Sequence, residues 1–171
     1  MRKSLGFILI LGSLMVFGVR IYDGITLKQN VTGHLKNAAD ANTVELAEQQ
    51  LSMALDYLES NGLTEGYTSI WVQTPKDDIG FWYRNLKASQ EELQSLKSSS
   101  ALEKTNVLMK LRETLVDVGE NTRVTYPEGL IRYPQNGLWA IITTTALLAF
   151  CTGIGLVLPK SAFQSGEQTA S

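Results

Sequence analysis

Two uncharged apolar runs lie near the ends of the chain, and between them hydrophobic residues recur at helical spacing. The first run is residues 5–19, LGFILILGSLMVFGV, preceded by Arg2 and Lys3; extended through Tyr22 it contains one charge, Arg20. At about 1.5 Å per residue, residues 5–22 reach about 27 Å, enough for a bilayer core. The Arg20 stem can lie in hydrocarbon while its guanidinium reaches the headgroups. A cleaved signal peptide would start the same way. The text Phe17-Gly18-Val19-Arg20-Ile21 offers no small-x-small cleavage site, so residues 5–22 read as an uncleaved anchor.

The second run, residues 138–158, has 21 positions without a charge. Pro134 and Gly137 precede it, Trp139 stands in its first turn and Pro159-Lys160 follows it, which is the flanking chemistry of a transmembrane helix. Thr145, Ala149 and Gly153 recur every fourth residue and share one face. Small side chains there let a neighbouring helix approach closely, with the chain's own first span as the expected partner. Cys151 lies among them, inside the apolar run, where a reactive thiolate is disfavoured.

Between the spans the pattern predicts about three helices and a minor β element. Val44, Ala47, Leu51, Leu55 and Leu58 form one amphipathic stripe that ends at Asn61-Gly62. Its start is vague, because Gly33 and polar residues 37–43 weaken the periodicity. Residues 67–73, YTSIWVQ, read as a short strand or extended segment. Thr74-Pro75-Lys76-Asp77-Asp78 reads as a helix start, with Thr74 as cap and Pro75 in the first turn. Ile79, Trp82, Leu86, Leu93 and Leu96 then mark the buried face. After the Ser98-Ser99-Ser100 turn a third helix follows, with Ser100 and Glu103 as a capping box. Leu108, Leu111, Leu115 and Val118 carry its stripe and Gly119 stops it. Pro127-Glu128-Gly129 is turn chemistry, and predicts a hairpin between residues 124–126 and 130–133. The fold class is mainly α: two transmembrane helices (5–22 and 138–158) flanking a helical extracytoplasmic domain (23–136). Short cytoplasmic ends are expected at 1–4 and 159–171, the latter disordered.

Charge supports a membrane address and removes several chemistries. Of 171 residues, 15 are Lys or Arg and 17 are Asp or Glu, so no basic face for nucleic acid is expected. Residues 24–136 hold 11 Lys/Arg against 15 Asp/Glu, a net charge of −4. Two spans put both termini in one compartment. Cations on either side of the spans do not decide which, but loops beyond about 60 residues translocate regardless of charge. The basic N-terminal pair then favours both ends in the cytoplasm, with the anchor in the membrane that bounds it.

With one His and one Cys, a Cys/His zinc site and an intrachain disulfide are both excluded. His34 falls in the polar approach to the first helix and reads as an exposed surface residue. Asp77-Asp78 is explained by a helix first turn, and Glu91-Glu92 by a solvated face. No cofactor or metal is expected and no enzyme activity is read. The distinctive feature is aromatic: Tyr67, Trp71, Phe81, Trp82 and Tyr83 fall within 17 residues. They serve either to wedge the extended segment onto the helices or as a contact surface for a partner protein, a lipid headgroup or a small ligand.

The blocks TPKDDIGFWYRNLKAS and NVLMKLRETL resemble a group of uncharacterised bacterial two-span membrane proteins, a resemblance that implies no activity and no site residues. In architecture the chain is also similar to the input module of bacterial transmembrane receptors, although the 13 residues after the second span leave no room for a signalling domain. The expectation is a non-enzymatic accessory, scaffolding or assembly protein that binds another envelope protein or a second copy of itself. A ligand-sensing module is the alternative. A carboxylate-based envelope enzyme is the weaker one.

Overall fold

The computed structural model of the chain describes residues 1–96, 100–117, 122–132 and 136–158. The features read at Ser98-Ser99, Val118, Gly119, Tyr133, Pro134, Pro159-Lys160 and the 159–171 tail lie outside the described residues. Among the described residues helix dominates, with one two-stranded sheet, and the chain divides into two compact units. One comprises Met1–Tyr22 and Gly137–Ser171, the other Asp23–Asn136.

The first unit pairs the start of α1 (Arg2–Leu27) with α6 (Asn136–Val157). Both belong to helices long and apolar enough to cross a membrane. The 22 residues of α6 reach about 33 Å, against about 30 Å of hydrocarbon. The pair leaves Phe7, Ile8, Leu11, Met15, Ile141, Leu147 and Leu148 exposed. Water disfavours so much open apolar surface, whereas lipid accepts it. The helices meet at glycine. A Cβ on Gly6 would stand 2.8 Å from the Gly153 carbonyl oxygen, and one on Gly153 would stand 2.9 Å from that of Gly6. Phe17 and Phe150 pack edge to face at 6.0 Å, and the Arg2 guanidinium donates to the Gly155 carbonyl at 3.1 Å.

The second unit begins inside a helix. Tyr22 is the limit of the apolar run but not of the helix, which continues to Leu27, through one π-helical turn at Lys28–Thr32, and into α2 (Gly33–Ala39). Residues 23–39 stay helical because Leu27, Val31, Leu35 and Ala38 share a buried face. The polar stretch 37–43 is therefore divided: its first three residues finish α2 and the rest make the turn. Thr43 caps α3 (Val44–Ser60), its hydroxyl accepting from the Leu46 N–H at 3.2 Å. The expected stripe is buried throughout. At its end Gly62 takes φ +66°, and the Leu63 N–H returns to the Leu58 carbonyl at 2.8 Å.

Two expectations are corrected next. Of the two readings of residues 67–73, strand or extended segment, the strand is not formed: one bridge pairs Tyr67 with Asp78, closing a loop whose tip makes no ladder. The β-rich composition reflects exposed positions on this loop, not a sheet. Nor does Thr74 cap the following helix. Pro75–Asp77 is a 3-10 turn, in which the Thr74 hydroxyl donates to Asp77. Asp78 is the cap of α4 (Ile79–Ser95), accepting from the Phe81 N–H at 2.8 Å. Ile79, Trp82, Leu86, Leu93 and Leu96 face the core as their spacing predicts.

Ser100 caps α5 (Ala101–Leu115) through the Glu103 N–H at 3.3 Å; Leu111 and Leu115 are buried and Leu108 partly so. The predicted hairpin is also corrected. Pro127–Gly129 does turn, with Gly129 at φ +74° and the Leu130 N–H on the Pro127 carbonyl. The strands, however, are β1 (Val116–Asp117) and β2 (Arg123–Val124), antiparallel, with Val116 opposite Val124. The chain leaving α5 supplies the partner because the Thr125 N–H is already bound to the Leu115 carbonyl at 2.8 Å.

Candidate functional site

The five clustered aromatics are sent to different places. Trp82 is buried, and its indole Nε1 donates to the Thr125 carbonyl at 3.0 Å. Tyr83, one helical step further round, packs against the core edge and donates its hydroxyl to Glu59 at 2.6 Å. Burial and that bond push the Tyr83 hydroxyl up to about 12, while Tyr83 and then Lys87 hold the Glu59 carboxyl below its ordinary value. Phe81 stands 54% exposed and Trp71 92% exposed, with Tyr67 partly open at the base of the loop.

Phe81 and Trp82 belong to a cleft of about 410 Å³ in the second unit. One wall is the start of α4, with Phe81, Trp82, Asn85 and Leu86. Facing it is the segment Thr125, Tyr126, Pro127 and Glu128, and Pro75, Lys76, Asp78, Thr114 and Asp117 complete the lining. Both walls are pinned, because Trp82 bonds Thr125 from α4 and Leu115 bonds Thr125 from α5. A smaller hollow of about 240 Å³ adjoins it, lined by Tyr67, Gln73, Thr74, Pro75, Asp78 and Phe81. The Phe81 ring is common to both.

Phe81, Trp82, Tyr126 and two prolines provide apolar and π surface, and three carboxylates (Asp78, Asp117, Glu128) against one Lys give an acidic rim. Such a cleft suits a segment carrying a cation that can lie over a ring. Asp78 is already engaged as a helix cap. Among the described residues no group of three or more His, Cys, Asp or Glu side chains is arranged to hold a metal ion. His34 is half-buried, not exposed: its Nδ1 lies 2.8 Å from Gln50 Oε1, joining α2 to α3.

The cleft brings together Phe81 and Trp82 but not Trp71 or Tyr83. Sequence reasoning missed Tyr126, Pro127, Asp117 and Glu128, which are more than 30 positions from Phe81. The turn at Pro127 was legible; its approach to α4 depends on the Trp82 bond. In the first unit, Gly153 packs against Gly6 and Ile10, while Thr145 and Ala149 line an apolar groove of about 360 Å³ with Ile8, Leu9, Gly12, Ser13 and Val16. Comparison with family models, curated proteins and solved structures gives no match to this chain.

Proposed function

We propose that the chain is a non-enzymatic, membrane-anchored binding protein of the bacterial inner membrane. Its helical unit lies outside the cytoplasm and serves as an accessory or assembly factor, gripping an extended basic segment of another envelope protein in the Phe81 cleft. The observation that supports this most is the half-open aromatic cleft itself. Phe81 and Tyr126 both line it and remain 54% and 44% exposed. Aromatic side chains are enriched at protein contacts relative to the rest of the surface.

The test is a photoreactive residue at position 81 in native membranes, with adducts identified by mass spectrometry. A reproducible protein adduct at 81 that is lost in Tyr126→Ala is expected. A folded Phe81→Ala/Tyr126→Ala variant that keeps every partner would sink the reading. The sensor alternative draws support from the cleft volume of about 410 Å³, which is within the range of small-ligand sites. The enzyme alternative would rest on Asp117 and Glu128, so Asp117→Asn/Glu128→Gln distinguishes it: partner binding retained with loss of a chemical turnover would favour catalysis.

A further inference from the structure

The loop between α3 and α4 places three large apolar side chains in the open. Ile70, Trp71 and Val72 are 46%, 92% and 67% exposed. The ten residues 66–75 around them carry no charge. The base of the loop is firmly closed: the Thr68 N–H donates to the Asp77 carbonyl and the Ile79 N–H to the Gly66 carbonyl, each at 2.9 Å.

Hydrogen bonds within the second unit show which of its ends carries this loop. Arg132 donates through Nε to Asn61 at 3.1 Å, and its guanidinium lies 3.6 Å from buried Asp23. Asn61 closes α3, Asp23 is where the chain enters the unit, and Arg132 is four residues before it leaves at Asn136. The α4 helix runs back antiparallel from that end, since Tyr83 bonds Glu59 whereas Gln90, two turns on, bonds Ser52 at 2.7 Å. The α3–α4 loop is therefore on the end of the unit that bears both of its covalent connections to the apolar helices. Leu102, by contrast, is at the opposite end, where Lys104 lies 4.0 Å from Glu45 at the start of α3.

We propose that Ile70-Trp71-Val72 is an interfacial lipid anchor that inserts into the headgroup layer of the bilayer crossed by α1 and α6. The inference rests on reading those helices as membrane spans. Indole favours the membrane–water interface, where its ring is desolvated and its N–H remains wet. An uncharged loop tip enters without the cost of burying an ion. Two tethers on the same end hold the loop close to lipid, so a few apolar side chains suffice where a free peptide would need many. The occupant is lipid, not a second protein, because that end is held to the membrane by the chain itself.

The test uses the full chain in phosphatidylcholine–phosphatidylglycerol vesicles containing nitroxide lipids, with Cys151→Ser as background. A fluorophore is placed in turn on Val72→Cys, Met15→Cys in the first span and Leu102→Cys at the far end. Expected is quenching at position 72 comparable with that at 15 and well above that at 102, and weakened by Trp71→Ala. Quenching at 15 with none at 72 overturns the anchor while leaving the spans intact. Blue-shifted but unquenched emission at 72 means a second copy covers the loop, and also overturns it. Absence of quenching at 15 removes the spanning reading, and the anchor with it.

Discussion

The Tyr83 hydroxyl donates to Glu59; burial first and then this bond raise Tyr83, and the bond, followed by Lys87, lowers Glu59. Tyr83 ionises near 10 when unfolded and near 12 when folded. Between those values the folded chain keeps a proton that the unfolded chain has lost, so this contribution is present below pH 10 and drains away as pH rises toward 12. For Glu59 the sign reverses: its contribution is present above 4.5 and is lost as pH falls through its lowered value. Tyr83→Phe should flatten the alkaline window and weaken the acidic one, read as Tm against pH in detergent. Gly153 is a second residue whose role depends on neighbours. In Gly153→Ala the new Cβ meets Ile10 at 2.8 Å and the Gly6 carbonyl at 2.9 Å, and backbone cannot yield. The expected cost is about 1–3 kcal/mol of helix pairing, as in overpacked cores. Spin-label distances between Ile21→Cys and Leu138→Cys should then lengthen or broaden.

Helix boundaries show how local chemistry is overruled at the scale of elements. Residues 74–78 contain two residues able to cap α4, Thr74 and Asp78, and Pro75 made the first the natural choice. The chain uses Asp78, because the Tyr67–Asp78 bridge and the Thr68–Asp77 hydrogen bond hold residues 74–77 out of the helix. Asp78→Ala is expected to destabilise the protein by about 1 kcal/mol, and Thr74→Ala by less, in denaturant titration. The core stripe of α3 was fully legible, since Leu51, Leu55 and Leu58 repeat with the helix and are completely buried. Leu55→Ala should cost about 2–5 kcal/mol through lost contacts and the cavity left behind. The hairpin was misread because turn residues locate a reversal without naming its strands. Val124 pairs with Val116, a choice set by where α5 delivers the chain.

At the scale of the whole molecule, two apolar helices enclose an acidic helical unit in sequence, and the membrane reading follows from that order. With both spans crossing and the N-terminus in the cytoplasm, a C-terminal reporter that works only in the cytoplasm should be active, and one that works only outside should be silent. The reverse result would invert the topology and place the Phe81 cleft and the Trp71 loop in the cytoplasm. The two aromatic features are then separable by experiment, because Phe81 lines a cleft between pinned walls and Trp71 stands on a loop tip.

The sequence by itself determined the helical character, the two apolar runs and most buried positions, because these depend on composition and on a 3.6-residue period that is local to the chain. It also isolated the aromatic cluster. What only the tertiary structure decided is how that cluster is divided: Trp82 inward to Thr125, Tyr83 to Glu59, Phe81 to the cleft and Trp71 to the exposed tip of the α3–α4 loop. It also decided that Tyr126 faces Phe81's helix from 45 positions away, and that Asp23, Asn61 and Arg132 converge at one end. The physical reason is the same in each case. Hydrogen bonds across long sequence separations are set by how helices pack, and no periodicity along the chain encodes them.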